Sequence, residues 1–346
     1  MDKIEINNLT LEELKSLMVN LGVESFRGEQ IFSYFHKNKD TDLDGIYQLP
    51  KNLREKLKDI AKVRKSEIYK RYNSKIDNTV KYLILLEDNN IIETVVMGYK
   101  HGYSICISSQ VGCKMGCSFC ASTKDGFIRN LTPAEMLNQI YLAEKDLDIR
   151  ISNIVLMGSG EPLDNYENVL KFIKMINHPK GHNISLRNIT VSTCGIVPRI
   201  YDLADEELPI TLSISLHSPF DEERKKIMPI ARKYSISELM KACRYYCNKT
   251  NRRITFEYTL IENVNDRDKD IFELSKILKG IKCHVNLIPL NPIQEYKKKR
   301  PSRENVERVK KELTKYGIPV TIRREMGGDI SASCGQLRRS VTQVDK

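Results

Sequence analysis

Hydrophobic positions recur at helical spacing within the first 65 residues of the chain. Thr10 and Glu13 have the spacing of a capping box, and Gly22 follows the apolar stretch as a helix terminator. The apolar residues between them lie three or four positions apart: Leu14, Leu17, Met18 and Leu21. The pattern predicts one helix here, a second over Gly28–His36 and a third after Pro50.

The hydrophobic period changes to two after this helical region. Three segments rich in β-branched and aromatic residues, Glu67–Tyr72, Thr79–Leu86 and Ile91–Met97, predict strands. We therefore predict a helical N-terminal domain over residues 1–65 and a β extension over residues 66–100.

From Tyr103 onward, strand-like and helix-like segments alternate through residues 101–346. The predicted strands are Ser104–Ser108, Asn153–Met157, Asn188–Ser192, Ile210–Leu216, Ile254–Leu260 and His284–Ile288, with a last strand at Val320–Arg323. The predicted helices are Pro133–Glu144, Tyr166–Ile176, Pro198–Ala204, Ile236–Cys247, Ile271–Leu278 and Arg303–Tyr316. Six such units predict an α/β fold with a parallel sheet, either doubly wound or an incomplete barrel. In both cases function is expected in loops at the carboxyl ends of the strands.

Composition and charge narrow the class of protein. The chain carries 56 Lys+Arg against 45 Asp+Glu, a net charge of +11, which is compatible with a polyanionic partner but is weak evidence alone. No apolar run approaches the roughly 20 residues of a membrane span. Residues 1–5 lack the apolar stretch of a secretory signal. A cytoplasmic protein without membrane attachment is the expectation.

The cysteines carry the most informative motif. Nine cysteines in a chain with no export signal favour metal binding or catalysis over a disulfide framework. Cys113, Cys117 and Cys120 form a C-x3-C-x2-C motif after the first strand of the alternating region, and three such thiolates can hold one face of a [4Fe–4S] cube. The alternative is a structural zinc site with Cys106 as fourth ligand. A structural zinc site usually has its ligands in pairs at short spacing, whereas Cys106 lies seven residues before Cys113, in a predicted strand. The iron–sulfur interpretation is therefore favoured.

This motif, with Phe119 before its last cysteine, resembles the signature of radical S-adenosylmethionine enzymes. Further segments make the whole chain similar to the RNA adenine C2 methyltransferases within that superfamily. They are Ser108–Cys113, Gly126–Leu131, Gly158–Leu163, Val191–Gly195, Ser215–His217, Asn286–Pro289, Asn291-Pro292 and Cys334–Leu337. The resemblance implies an incomplete (β/α)6 TIM-like barrel of the radical S-adenosylmethionine type.

The resemblance also implies a set of cofactor-binding residues. It assigns one [4Fe–4S] cluster per chain to Cys113, Cys117 and Cys120. It assigns contacts with S-adenosylmethionine to Gly160, Glu161, Ser192, Ser215, Leu216, His217 and Asn291. Without it, most of these would be ordinary turn or strand-end residues. Ser159 departs from the family, in which methionine is common at this position.

Three further residues take catalytic roles by resemblance. Cys334 would carry a methyl group as a covalent intermediate, Cys106 would release it by forming a disulfide with Cys334, and Glu93 would accept a proton. Taken alone, Cys106 would be a small buried strand residue and Glu93 a solvated carboxylate. Cys334 would be an exposed thiol in a flexible, glycine-flanked segment, free to act as a nucleophile.

The activity implied is methylation of carbon 2 of adenosine, at adenosine 2503 of 23S rRNA and adenosine 37 of some tRNAs. Two molecules of S-adenosylmethionine would be used per turnover, with an electron donor such as flavodoxin. One alternative is the related methyltransferase acting on carbon 8, which is associated with antibiotic resistance; the segment Val191–Pro198 favours the C2 enzyme. The other is a zinc-stabilised RNA-binding protein without catalysis.

Basic pairs and runs fit an RNA substrate. Arg323-Arg324 and Arg338-Arg339 flank the Cys334 segment and are candidate phosphate contacts. The run Lys297–Arg300 is equally compatible with RNA contact and with a solvated surface. The target base must also leave its stack to reach a buried site.

Overall fold

A computed structural model describes residues 3–100 and 102–338 of the chain. Its helices are α1 (Leu11–Asn20), α2 (Phe26–His36), α3 (Lys51–Ile60), α4 (Pro133–Leu147), α5 (Tyr166–Asn177), α6 (Val197–Asp205), α7 (Asp221–Ile227), α8 (Ile236–Thr250), α9 (Asp268–Leu278) and α10 (Arg303–Lys315). Its strands are β1 (Ile4–Glu5), β2 (Ala61–Lys62), β3 (Ser66–Asn73), β4 (Thr79–Leu86), β5 (Ile91–Tyr99), β6 (Gly102–Cys106), β7 (Gln110–Gly112), β8 (Phe127–Asn130), β9 (Ile151–Leu156), β10 (Ile189–Thr193), β11 (Thr211–Ser215), β12 (Ile254–Leu260), β13 (Cys283–Pro289) and β14 (Val320–Ile322).

One sheet organises the molecule, with strand order β14-β13-β12-β11-β10-β9-β6-β5-β4-β3 among the described residues. The strands from β6 through β9 to β14 pair in parallel, and helices connect most of them. Strands β3 to β6 pair antiparallel, so the β extension continues the same sheet. Since β6 and β14 are not neighbours, the parallel strands form an open, incomplete barrel. The predicted α/β fold is confirmed.

The N-terminal helices form as their capping residues predict. The Thr10 side chain accepts a hydrogen bond from the Glu13 amide, and the Glu13 carboxylate accepts one from the Thr10 amide. This module packs on α4, where Asn8 Oδ1 accepts a 2.7 Å hydrogen bond from the Ala134 amide. Lys39 forms a 2.7 Å ion pair with the buried Glu144 of the same helix. The helical module is therefore fixed to the barrel through polar contacts as well as apolar ones.

The hydrophobic pattern did not predict strands β7 and β8 or helix α7. Strands β7 and β8 pair antiparallel around the three-cysteine segment. They have only three and four residues, which is too short for a period to be recognised. Helix α7 has seven residues and is mostly charged, so it lacks the apolar repeat of a longer helix.

The described helices include none with the length and apolar character needed to cross a bilayer.

Candidate active site

The carboxyl ends of strands β9 to β13 surround one cavity, as a parallel α/β sheet predicts. Its empty volume, including the space that is open to solvent, is about 920 Å³. The residues predicted from sequence that line it are Cys113, Cys117, Cys120, Gly160, Glu161, Ser192, Ser215, His217, Asn291 and Cys334. Residues far apart in the chain thus meet at the predicted edge of the sheet.

The three motif cysteines lie along one wall of this cavity. Burial raises the pKa of all three thiols, that of Cys113 to about 12. Within residues 3–100 and 102–338, no group of three or more His, Cys, Asp or Glu side chains is arranged around a single ion. A cube binds each thiolate through a different iron atom, and three buried thiols along one wall fit that group. Thiolate ligation would release their protons.

The loop after β9 approaches its neighbours too closely for side chains at two glycines. A Cβ atom on Gly158 would lie 2.6 Å from the carbonyl oxygen of Ile107. Gly160 has φ +110°, and a Cβ there would lie 2.7 Å from Gln110 Cβ. Glycine is therefore required at both positions, and its small size brings the loop backbone to the cavity wall.

Glu161 connects this loop to the loop after β10. Its Oε1 accepts a 3.0 Å hydrogen bond from the Leu163 amide, and its Oε2 accepts a 2.7 Å bond from the Cys194 amide. The side chain is only 3% exposed, and burial raises its pKa despite these hydrogen bonds. Glu161 thus shapes the cavity as well as lining it.

His217 is a buried, neutral histidine at the end of β11. Its Nδ1 accepts a 2.9 Å hydrogen bond from the Thr259 amide, which places the ring proton on Nε2. Burial, with Arg224 nearby, lowers its pKa to about 3. Its ring meets Phe119 edge-on, with centroids 4.8 Å apart. His217 therefore lies next to the three-cysteine motif.

Leu216 is the one predicted cofactor residue that the structure does not bring to the cavity. Its side chain is fully buried in the main core. Its amide donates to the Glu257 carbonyl, and its carbonyl accepts from Arg224. Leu216 therefore packs in the core behind the residues that line the cavity.

Cys334 lies between the main cavity and a second one that Cys106 lines. Met157, Ile288, Asn291 and Arg323 line both cavities as well. The Cys334 carbonyl accepts a 3.0 Å hydrogen bond from Asn291 Nδ2. The next carbonyl, that of Gly335, accepts a 2.8 Å bond from the amide of Ala121, directly after the last motif cysteine. The Cys334 segment is thus attached to the three-cysteine segment.

The expectation of an exposed thiol in a flexible segment is wrong for Cys334. The thiol is partly buried, because the segment around it binds the β3–β4 turn. Asp329 accepts a 2.7 Å hydrogen bond from Ser74 Oγ and a 2.8 Å bond from the Lys75 amide. Asp77 accepts a 2.9 Å bond from the Gly327 amide. The segment 326–338 is therefore a loop that hydrogen bonds fix to a turn about 250 residues earlier in the sequence.

The pairing of β5 with β6 places Glu93 near Cys106. Val95 lies opposite Cys106 in this antiparallel pair, and Glu93 is two residues before Val95 on the same face. Glu93 is 1% exposed, which contradicts the solvated carboxylate expected from sequence alone. Its Oε1 lies 3.4 Å from Lys81 Nζ, and its Oε2 accepts a 2.8 Å hydrogen bond from the Arg338 amide. Glu93 therefore lies under the Cys334 loop.

Cys106 is a buried free thiol at the end of β6. Burial, followed by the neighbouring Cys334, raises its pKa to about 12. It packs with Val95, Met97 and Leu337. Cys334 is also a free cysteine, and both residues line one cavity.

Sequence reasoning missed Glu257 as a residue of the cavity, and it gave Arg323, which also lines the cavity, a different role. Glu257, in β12, accepts a 2.8 Å hydrogen bond from Ser213 Oγ. Its other oxygen lies 3.6 Å from Arg323 Nη1, which also donates to Met157 Sδ at 3.2 Å. Arg323 faces inward, so the phosphate contact expected for it is not supported. A carboxylate inside an otherwise uncharged parallel strand was the available signal for Glu257.

The remaining basic candidates are at the surface. The residues of the run Lys297–Arg300 are exposed, and Arg300 forms an ion pair with Glu325. Arg338 forms a 2.7 Å ion pair with Glu295, and Arg339 lies outside the described residues. Ser159 is buried, and its hydroxyl donates a 3.3 Å hydrogen bond to Ser122 Oγ, so a polar contact replaces the packing of the family methionine.

Comparisons with known proteins agree with this geometry. Residues 107–275 match the Radical SAM superfamily, and residues 4–63 match the ribosomal RNA large subunit methyltransferase N-terminal domain. A probable dual-specificity RNA methyltransferase RlmN from Clostridioides difficile is 53% identical over 337 residues, 97% of this chain and 98% of the relative. Its counterpart from Alkaliphilus oremlandii is 54% identical over 343 residues, 99% of this chain and 100% of the relative.

A solved structure is similar over the same extent. The crystal structure of a radical SAM methyltransferase from Sphaerobacter thermophilus has a TM-score of 0.92 and 41% identity, covering 98% of this chain and 100% of that one. The fold and the cysteine-lined cavity therefore define a radical SAM enzyme, a class that uses a [4Fe–4S] cluster and S-adenosylmethionine. Within this class, the chain belongs to the RlmN family of RNA methyltransferases.

Proposed function

We propose that this chain methylates carbon 2 of adenosine in RNA, at adenosine 2503 of 23S rRNA and adenosine 37 of tRNAs. The observation that carries the proposal is the position of Cys334, which lines both the cavity of the three-cysteine motif and the cavity of Cys106. A methyl carrier needs access to a methyl donor on one side and to a resolving thiol on the other. The relatives named dual-specificity RNA methyltransferases support this choice of reaction.

The cavity residues divide into two binding sets. Cys113, Cys117 and Cys120 would hold the cluster as thiolates. Gly160, Glu161, Ser192, Ser215, His217 and Asn291 would contact S-adenosylmethionine, with Leu216 supporting them from the core. When bound and reduced, the cluster supplies the electron that cleaves S-adenosylmethionine to a carbon-centred radical.

Cys334 would act first: its thiolate would attack the methyl carbon of S-adenosylmethionine, and S-adenosylhomocysteine would leave. Carbon 2 of adenine has no usefully acidic C–H bond, so its alkylation needs a radical on that methyl carbon. Once a hydrogen atom has left the methyl group and its carbon has bonded to carbon 2, the Cys106 thiolate would attack the sulfur of Cys334. The C–S bond would break, which forms a disulfide and frees the methylated base, and the one electron left over would return to the cluster. Glu93, under the Cys334 loop, would accept the proton lost from the ring.

The partners and the division of the chain follow from the same proposal. The helical module over residues 1–65 would contact folded RNA, the β extension over 66–100 would hold the Cys334 loop, and residues 101–346 would form the catalytic barrel. An electron donor such as flavodoxin would reduce the cluster, and the protein would act in the cytoplasm. Lys297–Arg300, exposed beside the loop, is the basic surface available for phosphate contacts.

Mass spectrometry of nucleosides tests the proposal. The anaerobically reconstituted protein is incubated with a 23S rRNA fragment or tRNA, S-adenosylmethionine and a reductant, and the digested nucleosides are compared with standards. We expect 2-methyladenosine, with Cys247→Ala as a matched cysteine control of unchanged activity. A product that co-elutes with 8-methyladenosine would support the C8 enzyme instead. Zinc without iron, together with RNA binding and no product, would support the non-catalytic alternative.

A further inference from the structure

Arg224 is a completely buried arginine that has no place in the reaction proposed above. It lies on α7 and has no exposed surface. Its guanidinium donates to three backbone carbonyls at the ends of β10 and β11. Nε donates to Leu216 at 3.0 Å, and Nη2 donates to Cys194 at 2.8 Å and to Ser215 at 3.1 Å. The side chain thus joins two loops that line the cofactor cavity.

Arg224 forms no salt bridge with a carboxylate within the part of the chain that the structure describes. Asp221, one turn earlier on α7, acts on its charge from a distance, and the Asp221 carboxylate accepts a 2.8 Å hydrogen bond from the Ile236 amide. Nη1 of Arg224 has no hydrogen-bond partner among the described residues. A buried cation that no carboxylate contacts directly is unfavourable, because the contacts that replace water do not balance its charge. An anion from outside the polypeptide would remove that cost.

The three-cysteine wall is next to this charge. Cys194, whose carbonyl binds Arg224, lines the cavity together with the three motif cysteines. Cys117 packs in one cluster with Cys194, with Ile227 at the end of α7 and with Met228 directly after it. The Ser118 amide donates a 2.9 Å hydrogen bond to the Ile227 carbonyl, which attaches the motif to the same helix. Burial lowers the pKa of Arg224, and the Cys194 and Cys117 thiols oppose that change.

A cluster in this cavity would supply a negative charge close to the Arg224 guanidinium. Three thiolates and an oxidised [4Fe–4S] core carry one net negative charge, and reduction adds a second. A nearby buried cation stabilises the reduced state more than the oxidised one, because it attracts the larger negative charge more strongly. The reduction potential of the cluster would therefore rise.

We propose that Arg224 is a positioning residue that balances the charge of the cluster and makes it easier to reduce. This inference rests on the proposed cluster ligands. The proposal explains why a guanidinium without a salt bridge is buried in the core. It also explains why that guanidinium donates hydrogen bonds to the carbonyls of Cys194, Ser215 and Leu216. The role is electrostatic and architectural, and Arg224 itself takes no part in bond making.

The test compares two substitutions that differ in charge. Arg224→Lys keeps the cation, whereas Arg224→Gln keeps a hydrogen-bond donor and loses the charge. Lys226→Gln removes one cation from the exposed face of the same helix, where solvent screens it, and is the matched control. Each protein is reconstituted anaerobically, its iron and sulfide are counted, and its reduction potential is measured by a redox titration followed by electron paramagnetic resonance.

We expect Arg224→Gln to lower the ratio of reduced to oxidised cluster at least about tenfold at a fixed potential, a negative shift of about 59 mV for one electron. Arg224→Lys and Lys226→Gln should stay close to wild type. Loss of the cluster from Arg224→Gln but not from Arg224→Lys would also support the charge role. Equal potentials in both Arg224 variants, or loss of the cluster from both, would overturn it. If the wild type itself fails to take up iron and sulfide, the proposed function fails first.

Discussion

Replacing Glu161 should separate its structural role from cofactor contact. Both of its carboxylate oxygens accept hydrogen bonds from buried backbone amides, those of Leu163 and Cys194. Alanine would leave both amides without an acceptor. At about 1–3 kcal/mol for each buried unsatisfied group, Glu161→Ala should lower the free energy of unfolding by about 2–6 kcal/mol.

Glu161→Gln should lower the free energy of unfolding less than Glu161→Ala does, for two reasons. Its carbonyl oxygen can still accept one of the two hydrogen bonds, so a single amide loses its partner. In addition, burial raises the pKa of Glu161, which shows that the ionised carboxylate is penalised in the fold, and a neutral amide avoids that penalty. We expect Glu161→Gln to lower the free energy of unfolding by about 1 kcal/mol, the low end of the range for one unsatisfied group.

Urea unfolding of the metal-free protein measures both values, as shifts in the midpoint at constant slope. Glu167→Gln is the control, because the Glu167 side chain is 79% exposed and its replacement should change the free energy by less than about 0.5 kcal/mol. Equal losses for Ala and Gln at position 161 would refute the hydrogen-bond reasoning. A loss for alanine no larger than that of the control would refute it as well.

Three further predictions concern the thiols. Cys334→Ala should abolish RNA methylation while iron and sulfide content stays at the wild-type level; residual 2-methyladenosine, detected by mass spectrometry, would exclude Cys334 as the methyl carrier. Cys106→Ala should leave enzyme covalently bound to RNA, visible as a slow band on a denaturing gel, and RNA that runs free would count against the resolving role. In the metal-free protein, the pKa of Cys106, raised to about 12 by burial, should keep its alkylation by iodoacetamide slow at pH 8. The rate should then rise about tenfold per pH unit as the thiolate forms, while the half-buried Cys247 reacts sooner; peptide mapping measures both, and equal rates at pH 8 would contradict the burial argument.

The sequence predicted those parts of the fold whose signals are local. Helix α4 begins at Pro133 because Thr132 and Glu135 form the expected capping box, and strand β12 has the predicted limits Ile254–Leu260. Several helices run about one turn further than predicted. Helix α8 continues from Cys247 through the exposed Asn248 and Lys249 to Thr250, and ends where Asn251 adopts a left-handed conformation.

The contacts that shape the site could not be predicted from local signals. The bond between Ser74 and Asp329 joins residues 255 positions apart. Neither side chain differs in the sequence from an ordinary turn residue, so the expected flexible segment around Cys334 was wrong. Arg224 belongs to a charged, seven-residue helix, and its complete burial depends on tertiary packing. Motifs located the cavity, but the charges inside it required the structure.

The β extension gains a functional interpretation from these long-range contacts. Its β5 carries Glu93, its β3–β4 turn holds the loop of Cys334, and its antiparallel pairing with β6 fixes Cys106. All three proposed catalytic groups therefore depend on one antiparallel sheet segment, while the proposed cofactor ligands depend on the parallel strands. Since β6 belongs to both, its pairing with β5 on one side and β9 on the other sets the distance between the cofactor and the two thiols. A change in that register would separate the two sets without altering either one.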